Sequence, residues 1–277
     1  MDNGEINKRS GFILDKGVIV SAPWQVYSFG RLGPIKKENT DEEIIPVGPA
    51  NGHEYVDLGL RDGNGNRILF ATMNVGASAP QEYGDYFAWG ETSKRYTGIN
   101  GDSIIGGSFA WDNCPYCTNS EGSKFSKYID EGEDQAAESG TADGKTVLEP
   151  VDDVATVLWG GNWRMPDKSD LDYLISDNVI RTWTDNYNET GISGLLISGK
   201  DSFSESSIFL PSAGYVDGNT IFNDEEGRSF GGYTCREIYG VIYINTLFFS
   251  SEEEAQVAPA LVRYLGQSVR PVLVLPE

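Results

Sequence analysis

The chain is poor in the residues that carry most acid–base, metal and redox chemistry. Among 277 residues there is one histidine, His53, and three cysteines, Cys114, Cys117 and Cys235. Any Ser-His-Asp or Cys-His apparatus must therefore run through His53, which stands just before a strand-like run and reads as a solvated edge histidine. A structural zinc site needs a full tetrahedral ligand set, and only Cys235 and His53 remain to complete one around "CPYC". Positive charge is scarce too: 21 Lys and Arg stand against 42 Asp and Glu, a formal net charge of −21. Such a surface repels nucleic acid and anionic lipid, both of which require clustered basic residues. No stretch approaches the roughly 18 apolar residues that mark a membrane-spanning helix. The opening "MDNGEINKRSGFILDKGVIV" lacks the basic start, long apolar centre and small-residue cleavage site of a signal peptide.

What is abundant is glycine, 33 residues, and tyrosine, 14, the composition of a strand- and loop-rich fold. The length suits one large domain with a small companion. Residues 1–51 differ from the rest: "FILDKGVIVSAPWQVYSFG" reads as two short strands, and "KKENTDEE" with "PVGPANG" as a linker, so the boundary is expected at 51. From there strand signals dominate. "EYVDLGL" and "RILFATMNVG" flank "RDGNGN", whose Asp62, Asn64 and Asn66 mimic the start of a calcium loop. An EF-hand wants glycine sixth and glutamate twelfth, whereas the chain offers Arg67 and Met73, so the stretch reads as a hairpin. "YGDYFAWGE" reads as a strand with aromatics on alternate positions. Residues 91–145 form a long insertion with little periodicity.

Two helices follow. One is expected from Val151 to Trp159, started by Pro150 and ended by Gly160 and Gly161. The other follows Pro166, with Asp167 capping, Asp170 in its first turn and Leu171, Leu174 and Ile175 on one face. "TGISGLLISGK", "SIFLPSAGYV", "VIYINTLFF" and "SVRPVLVLP" then read as strands. This order gives an α+β domain. The corner "WGGNWRMPDKSDL" between the helices places Trp159 and Trp163 as core fillers and pairs Arg164 with a carboxylate.

Five stretches in one order, "EYVDLGL", "FATMNVGASAPQEYGDYFAWGET", "KTVLEPVDDVATVLWGGNWRMPDKSDLDYLI", "SIFLPSAGYVDG" and "GQSVRPV", resemble the Fibrobacter succinogenes major paralogous domain. That family is common in gut Bacteroidetes, and the resemblance runs from Glu54 to Val272. It implies a C-type lectin-like fold related to formylglycine-generating enzymes: two helices flanking mixed, mostly antiparallel sheet, with terminal strands close together. The first 51 residues would then attach or oligomerise. Family members are mostly surface or secreted proteins without assigned catalysis.

The sites implied by that resemblance match unevenly. Calcium-dependent sugar binding in C-type lectins uses Glu-Pro-Asn; here Glu149 and Pro150 precede Val151, which cannot ligate a cation, and "WTDN" at Trp183 is not the second element. The copper-binding cysteine pair of the oxidases has no counterpart in position, because Cys114 and Cys117 lie in the insertion. The informative departure is "TCREIYGVIYINTLFFSSEEEAQVAPALV", where relatives carry a polar stretch between "GGY" and "RYLGQSVRPV". Variable proteins of diversity-generating retroelements share this fold and randomise such a segment. Substituted positions would include Thr234, Cys235, Arg236, Ile238, Tyr239, Ala260, Leu261 and Leu265, with Glu237 and Gln256 fixed. The expectation is a non-enzymatic adhesin or receptor-binding module without metal or cofactor, acting on a cell or virion surface. Its protein or carbohydrate ligand would meet Thr234, Arg236, Ile238, Tyr239, Tyr243, Phe248, Pro259, Leu261, Tyr264 and Leu265. The alternatives are a formylglycine-generating-like oxidase and a structural surface or pilus assembly domain.

Overall fold

The computed structural model describes residues 6–7, 12–15, 18–21 and the continuous stretch 47–276. Two compact units divide the chain, Met1–Glu43 and Ile44–Glu277. In the first, β1 (Ile6–Asn7), β2 (Phe12–Asp15) and β3 (Val18–Ser21) pair antiparallel in that order. The run "KKENTDEE" lies outside the described residues. "PVGPANG" is no linker: β4 (Val47–Ala50) pairs with β5 (His53–Arg61), which moves the boundary earlier than residue 51. Asn51 and Gly52, both at positive φ (48° and 84°), make the two-residue turn. Asn-Gly suits a turn whose central residues are both left-handed, and it matches the twist of the strands it joins.

In the second unit β4 and β5 continue through β6 (Arg67–Ala71). The insertion carries a small hairpin, β7 (Gly98–Asn100) with β8 (Ser103–Ile105). Two short helices follow, α1 (Val154–Trp159) and α2 (Lys168–Leu174). Next come β9 (Val179–Thr184), β10 (Gly194–Gly199), β11 (Ser207–Pro211), β12 (Tyr215–Asp217), β13 (Thr220–Phe222) and β14 (Asp224–Glu225). The chain ends with β15 (Arg228–Tyr239), β16 (Tyr243–Ser250), β17 (Gln256–Val262), β18 (Gly266–Gln267) and β19 (Val272–Leu275). The sheet orders are β19-β6-β5-β4, β11-β10-β9, β18-β12-β13-β8-β7 and β14-β15-β16-β17, with every strand pairing antiparallel. Strands with few helices make this an α+β unit, and the last strand, β19, pairs with β6. No helix among the described residues is long and apolar enough to cross a membrane.

Local chemistry explains the hairpin and helix ends. The Asp62 carboxylate accepts from the amides of Asn64 (2.8 Å) and Asn66 (2.9 Å) and from the Asn66 side chain (2.8 Å). It is spent inside the β5–β6 turn, an Asx device. The first helix starts later than Val151: Pro150–Asp152 is a single 3-10 turn, and Asp153 caps α1 through the Thr156 amide at 2.9 Å. Gly160, at φ 65°, ends it. In α2 the Asp170 carboxylate reaches back to the Asp167 amide (2.8 Å), while Leu171 and Leu174 are fully buried. Trp159 and Trp163 meet edge to face at 5.1 Å within the core, and Trp163 donates its indole N–H to Ala50 (2.8 Å). His53 stacks on Trp159 at 3.7 Å, so it is a packing element of the corner. Arg164 pairs with Asp170 (2.7 Å) and Asp167 (3.2 Å).

"YGDYFAWGE" differs from expectation. It forms no strand and joins its neighbours through scattered backbone bonds, Asp85 to Val75, Phe87 to Gln267 and Trp89 to Arg263. Tyr86, Phe87 and Trp89 are all buried, Tyr86 in a different apolar cluster from the other two. Alternation fails because both sides of the segment are covered.

Arg270 joins these pieces. Fully buried, it donates Nε to the Asn74 side chain (2.8 Å), Nη1 to the Ala71 carbonyl (3.0 Å) and Nη2 to the Phe209 carbonyl (2.9 Å). Its acceptors are neutral and come from the end of β6, the loop behind it and β11. Burial pulls the guanidinium down to about 10, which still leaves it charged at neutral pH. Arg270→Ala should cost about 1–3 kcal/mol for each acceptor left unpaired. Urea denaturation should show that loss, and Arg270→Lys should recover only part of it because a point ammonium cannot span the fork.

The insertion has its own small core of Phe125, Ile129, Ala136 and Ala137. It is tied to the start of α1 through Asp152, which accepts from the Tyr116 and Tyr128 hydroxyls and from Lys127 (2.5 Å). Burial would push the Asp152 carboxyl up, but these donors outweigh it and hold it below its ordinary value. A depressed folded value stabilises fully above the unfolded value and is lost as pH falls through the folded one. Amide exchange in residues 124–138 should therefore speed up, beyond its intrinsic pH dependence, as pH drops below about 4. Asp152→Asn should loosen the segment already at neutral pH and abolish that acid step.

Candidate functional site

The C-terminal segment folds into β15, β16 and β17, and the pleat sorts its side chains. Cross-strand partners share a face: Gly231 with Phe249, Tyr233 with Leu247 and Val257, then Gly232 with Phe248 and Gln256, and Thr234 with Thr246 and Ala258. The first set packs inward with Cys235 against Leu171 and Leu174 of α2. Between Thr234 and Ile238 the β15–β16 ladder is interrupted. There β15 turns to other partners: the Arg236 amide donates to Pro166 (3.0 Å), the Ile238 amide to Thr146 (2.9 Å), and Leu148 donates to the Arg236 carbonyl (2.9 Å).

This geometry divides the expected contact residues. Thr234, Ile238 and Leu265 are buried, with Cys235, and are no part of a surface. The interrupted stretch is covered by the 146–148 segment and by Trp89, whose indole donates to the Cys235 carbonyl (3.1 Å). Arg236 grips Asp167 through Nε (2.5 Å) and Nη2 (3.0 Å), and Glu237 accepts the Lys168 amide (2.5 Å), so both secure the start of α2. Tyr239 and Tyr243, 60% and 43% exposed, face each other at the tip of the β15–β16 hairpin. Tyr264 lies against Trp111 at 4.8 Å and donates its hydroxyl to Asp217 (3.2 Å). Pro259 and Ala260 are exposed on the edge strand β17.

Phe248 and Leu261 meet in a groove of about 300 Å³ lined also by Tyr215, Glu225, Phe230, Glu253, Gln256, Ala258 and Ala260. Its three aromatic rings continue a row that starts at Phe222, outside the lining: Phe222 to Tyr215 at 5.5 Å, Tyr215 to Phe230 at 6.0 Å, Phe230 to Phe248 at 5.4 Å. Gly231 lets Phe249 lie against the inner face, since a Cβ there would sit 2.2 Å from that ring. Glu225 and Glu253 stand exposed in the lining. Burial first, then the negative charges of Asp217 and Glu225, push the Tyr215 phenol up, so it stays a neutral donor at physiological pH. Tyr215, Phe230, Glu225 and Glu253 were not among the residues expected from sequence. Their one local signal is Phe230, which shares strand parity with Gly232 and Thr234.

All three cysteines are free. Burial raises the Cys114 thiol to about 12 and raises Cys235 as well, opposite to the thiolate that nucleophilic or metal-binding cysteines need. Glu149 pairs with Lys127 (2.5 Å) and Lys145 (2.7 Å), Val151 points to solvent, and the Trp183 indole is held by Asp185 (2.6 Å). Among the described residues no group of three or more His, Cys, Asp and Glu side chains is placed to hold a metal ion. Comparison with protein-family models, curated proteins and solved structures finds no match to the chain.

The two classes of C-terminal residue separate by experiment. Ile238→Ala should lower stability by about 2–5 kcal/mol, the usual loss for a buried aliphatic side chain. Tyr239→Ala should cost less than about 1 kcal/mol. Paired urea titrations of the two variants test the assignment.

Proposed function

We propose that the chain is a non-enzymatic ligand-binding module of the C-type lectin-like kind, acting at a cell or virion surface, and that its site is the groove on the outer face of β15–β17. The observation that carries this reading is the row Tyr215–Phe230–Phe248. Large aromatic rings line an open groove on a sheet whose opposite face is committed to the core. Tyr215 and Phe248 stay partly exposed there while Phe230 is buried, and partly exposed aromatic side chains on a rigid surface bring large contact area at little ordering cost. The two short helices and the adjacency of β19 to the first strands are what the lectin-like resemblance implies. Retroelement diversification of the whole segment is not part of the proposal, because Thr234, Cys235, Ile238 and Leu265 are packed and free variation there would unfold the sheet. A fixed groove in Phe248 and Leu261 replaces it.

Glycan and peptide arrays probed with the full chain test the reading. Captured ligands should bind about tenfold more weakly to Phe248→Ala, as for an anchor residue, and equally well to Ile180→Ala, an exposed apolar position on β9. Ligands indifferent to Phe248, or no ligand in either array, would overturn it.

A further inference from the structure

Resting on that reading, we infer that the groove takes a cationic side chain, the Lys or Arg of a basic protein segment. The first observation is the pairing of aromatic faces with carboxylates. Tyr215 and Phe248, both half-buried, and the buried Phe230 line the groove, and Glu225 and Glu253 stand in the same lining. A cation over a ring is drawn to its negative face, and nearby carboxylates add to that attraction. The second observation is that these carboxylates form no ion pair among the described residues. Arg228, the cation nearest in sequence, leans toward Glu226 (4.0 Å) and Glu252 (3.9 Å).

The third observation comes from a neighbouring hollow that shares two of these rings. A smaller hollow against Phe230 and Phe248 is lined by Arg228 together with Glu225, Ser250 and Glu253. Arg228 thus shares this hollow with the same rings and acids, while its guanidinium reaches outward to Glu226 and Glu252. The larger groove offers the same surroundings with no cation of the chain lining it. Around it the segments 224–226 and 252–254 bring six acids in a chain of net charge −21. That field raises the encounter rate of a basic partner and repels an acidic one. A neutral sugar would use the rings and the Gln256 amide but would leave the two carboxylates without a matching charge.

The test is an NMR titration of the full chain at constant ionic strength, following the ring resonances of Tyr215 and Phe248. The probes are acetyl-Gly-Arg-Gly-Arg-Gly-amide, its Gln-for-Arg counterpart and maltotetraose. The arginine peptide should shift these resonances saturably and the other two should not. Glu225→Gln and Glu253→Gln should each weaken binding about threefold, and Phe248→Ala should remove the saturable component. Both glutamates are exposed, so their variants fold. The inference is overturned if the glutamine peptide or the sugar binds as well, or if the glutamine variants bind the arginine peptide unchanged. In those cases the groove still binds, and the module reading survives with another ligand class. If no probe moves the rings, the cation inference falls, and the arrays then judge the groove separately.

Discussion

A guanidinium with no carboxylate beside it holds the second unit together. Arg270 satisfies carbonyl and amide oxygens from β6, the following loop and β11. Because its fork has fixed geometry, it sets the spacing between the terminal-strand sheet and the β9–β11 sheet. Tyr233 of β15 joins the same network, donating to the Pro211 carbonyl (2.9 Å) and accepting from Asn74 (3.2 Å). The inner face of the C-terminal sheet is thereby fixed against the scaffold, and what remains outside, the aromatic row, inherits that rigidity.

A second buried arginine does similar work for the insertion. Arg263 lies between Trp89 (5.0 Å) and Phe125 (4.5 Å) and donates to the carbonyls of Tyr128 and Val241, both at 3.2 Å. It connects the loop-rich segment to the last hairpin, as Asp152 connects it to α1. A stretch that reads as featureless is therefore held around residues 116–128 by two charged groups, each facing several partners.

The sequence showed most clearly what is decided within a few residues. Asp62 in its turn, the paired glycines after Trp159, and Pro166 with Asp167 at the next helix all act on neighbouring backbone, and each is where local chemistry puts it. The Asn51–Gly52 hairpin was equally local, but its proline-rich surroundings read as a linker. Other features depend on partners far along the chain. "TCREIY" alternates like a half-exposed strand, yet Trp89, 146 residues from Cys235, covers it. The groove was legible at Phe248, Ala260 and Leu261, which lie in the segment that departs from its relatives, whereas Tyr215 on β12 and Glu225 on β14 join them only through the fold.

Pro259 has a consequence for how this surface meets other molecules. It sits within the edge strand β17, paired with Asn245, and has no N–H to offer on either side. An incoming extended chain would find its hydrogen-bond ladder broken there and a run of glutamates, 252–254, at the strand's approach. Strand-to-strand joining, which reads backbone and accepts almost any sequence, is discouraged along the groove's open border. Recognition is left to side chains, where discrimination between partners resides.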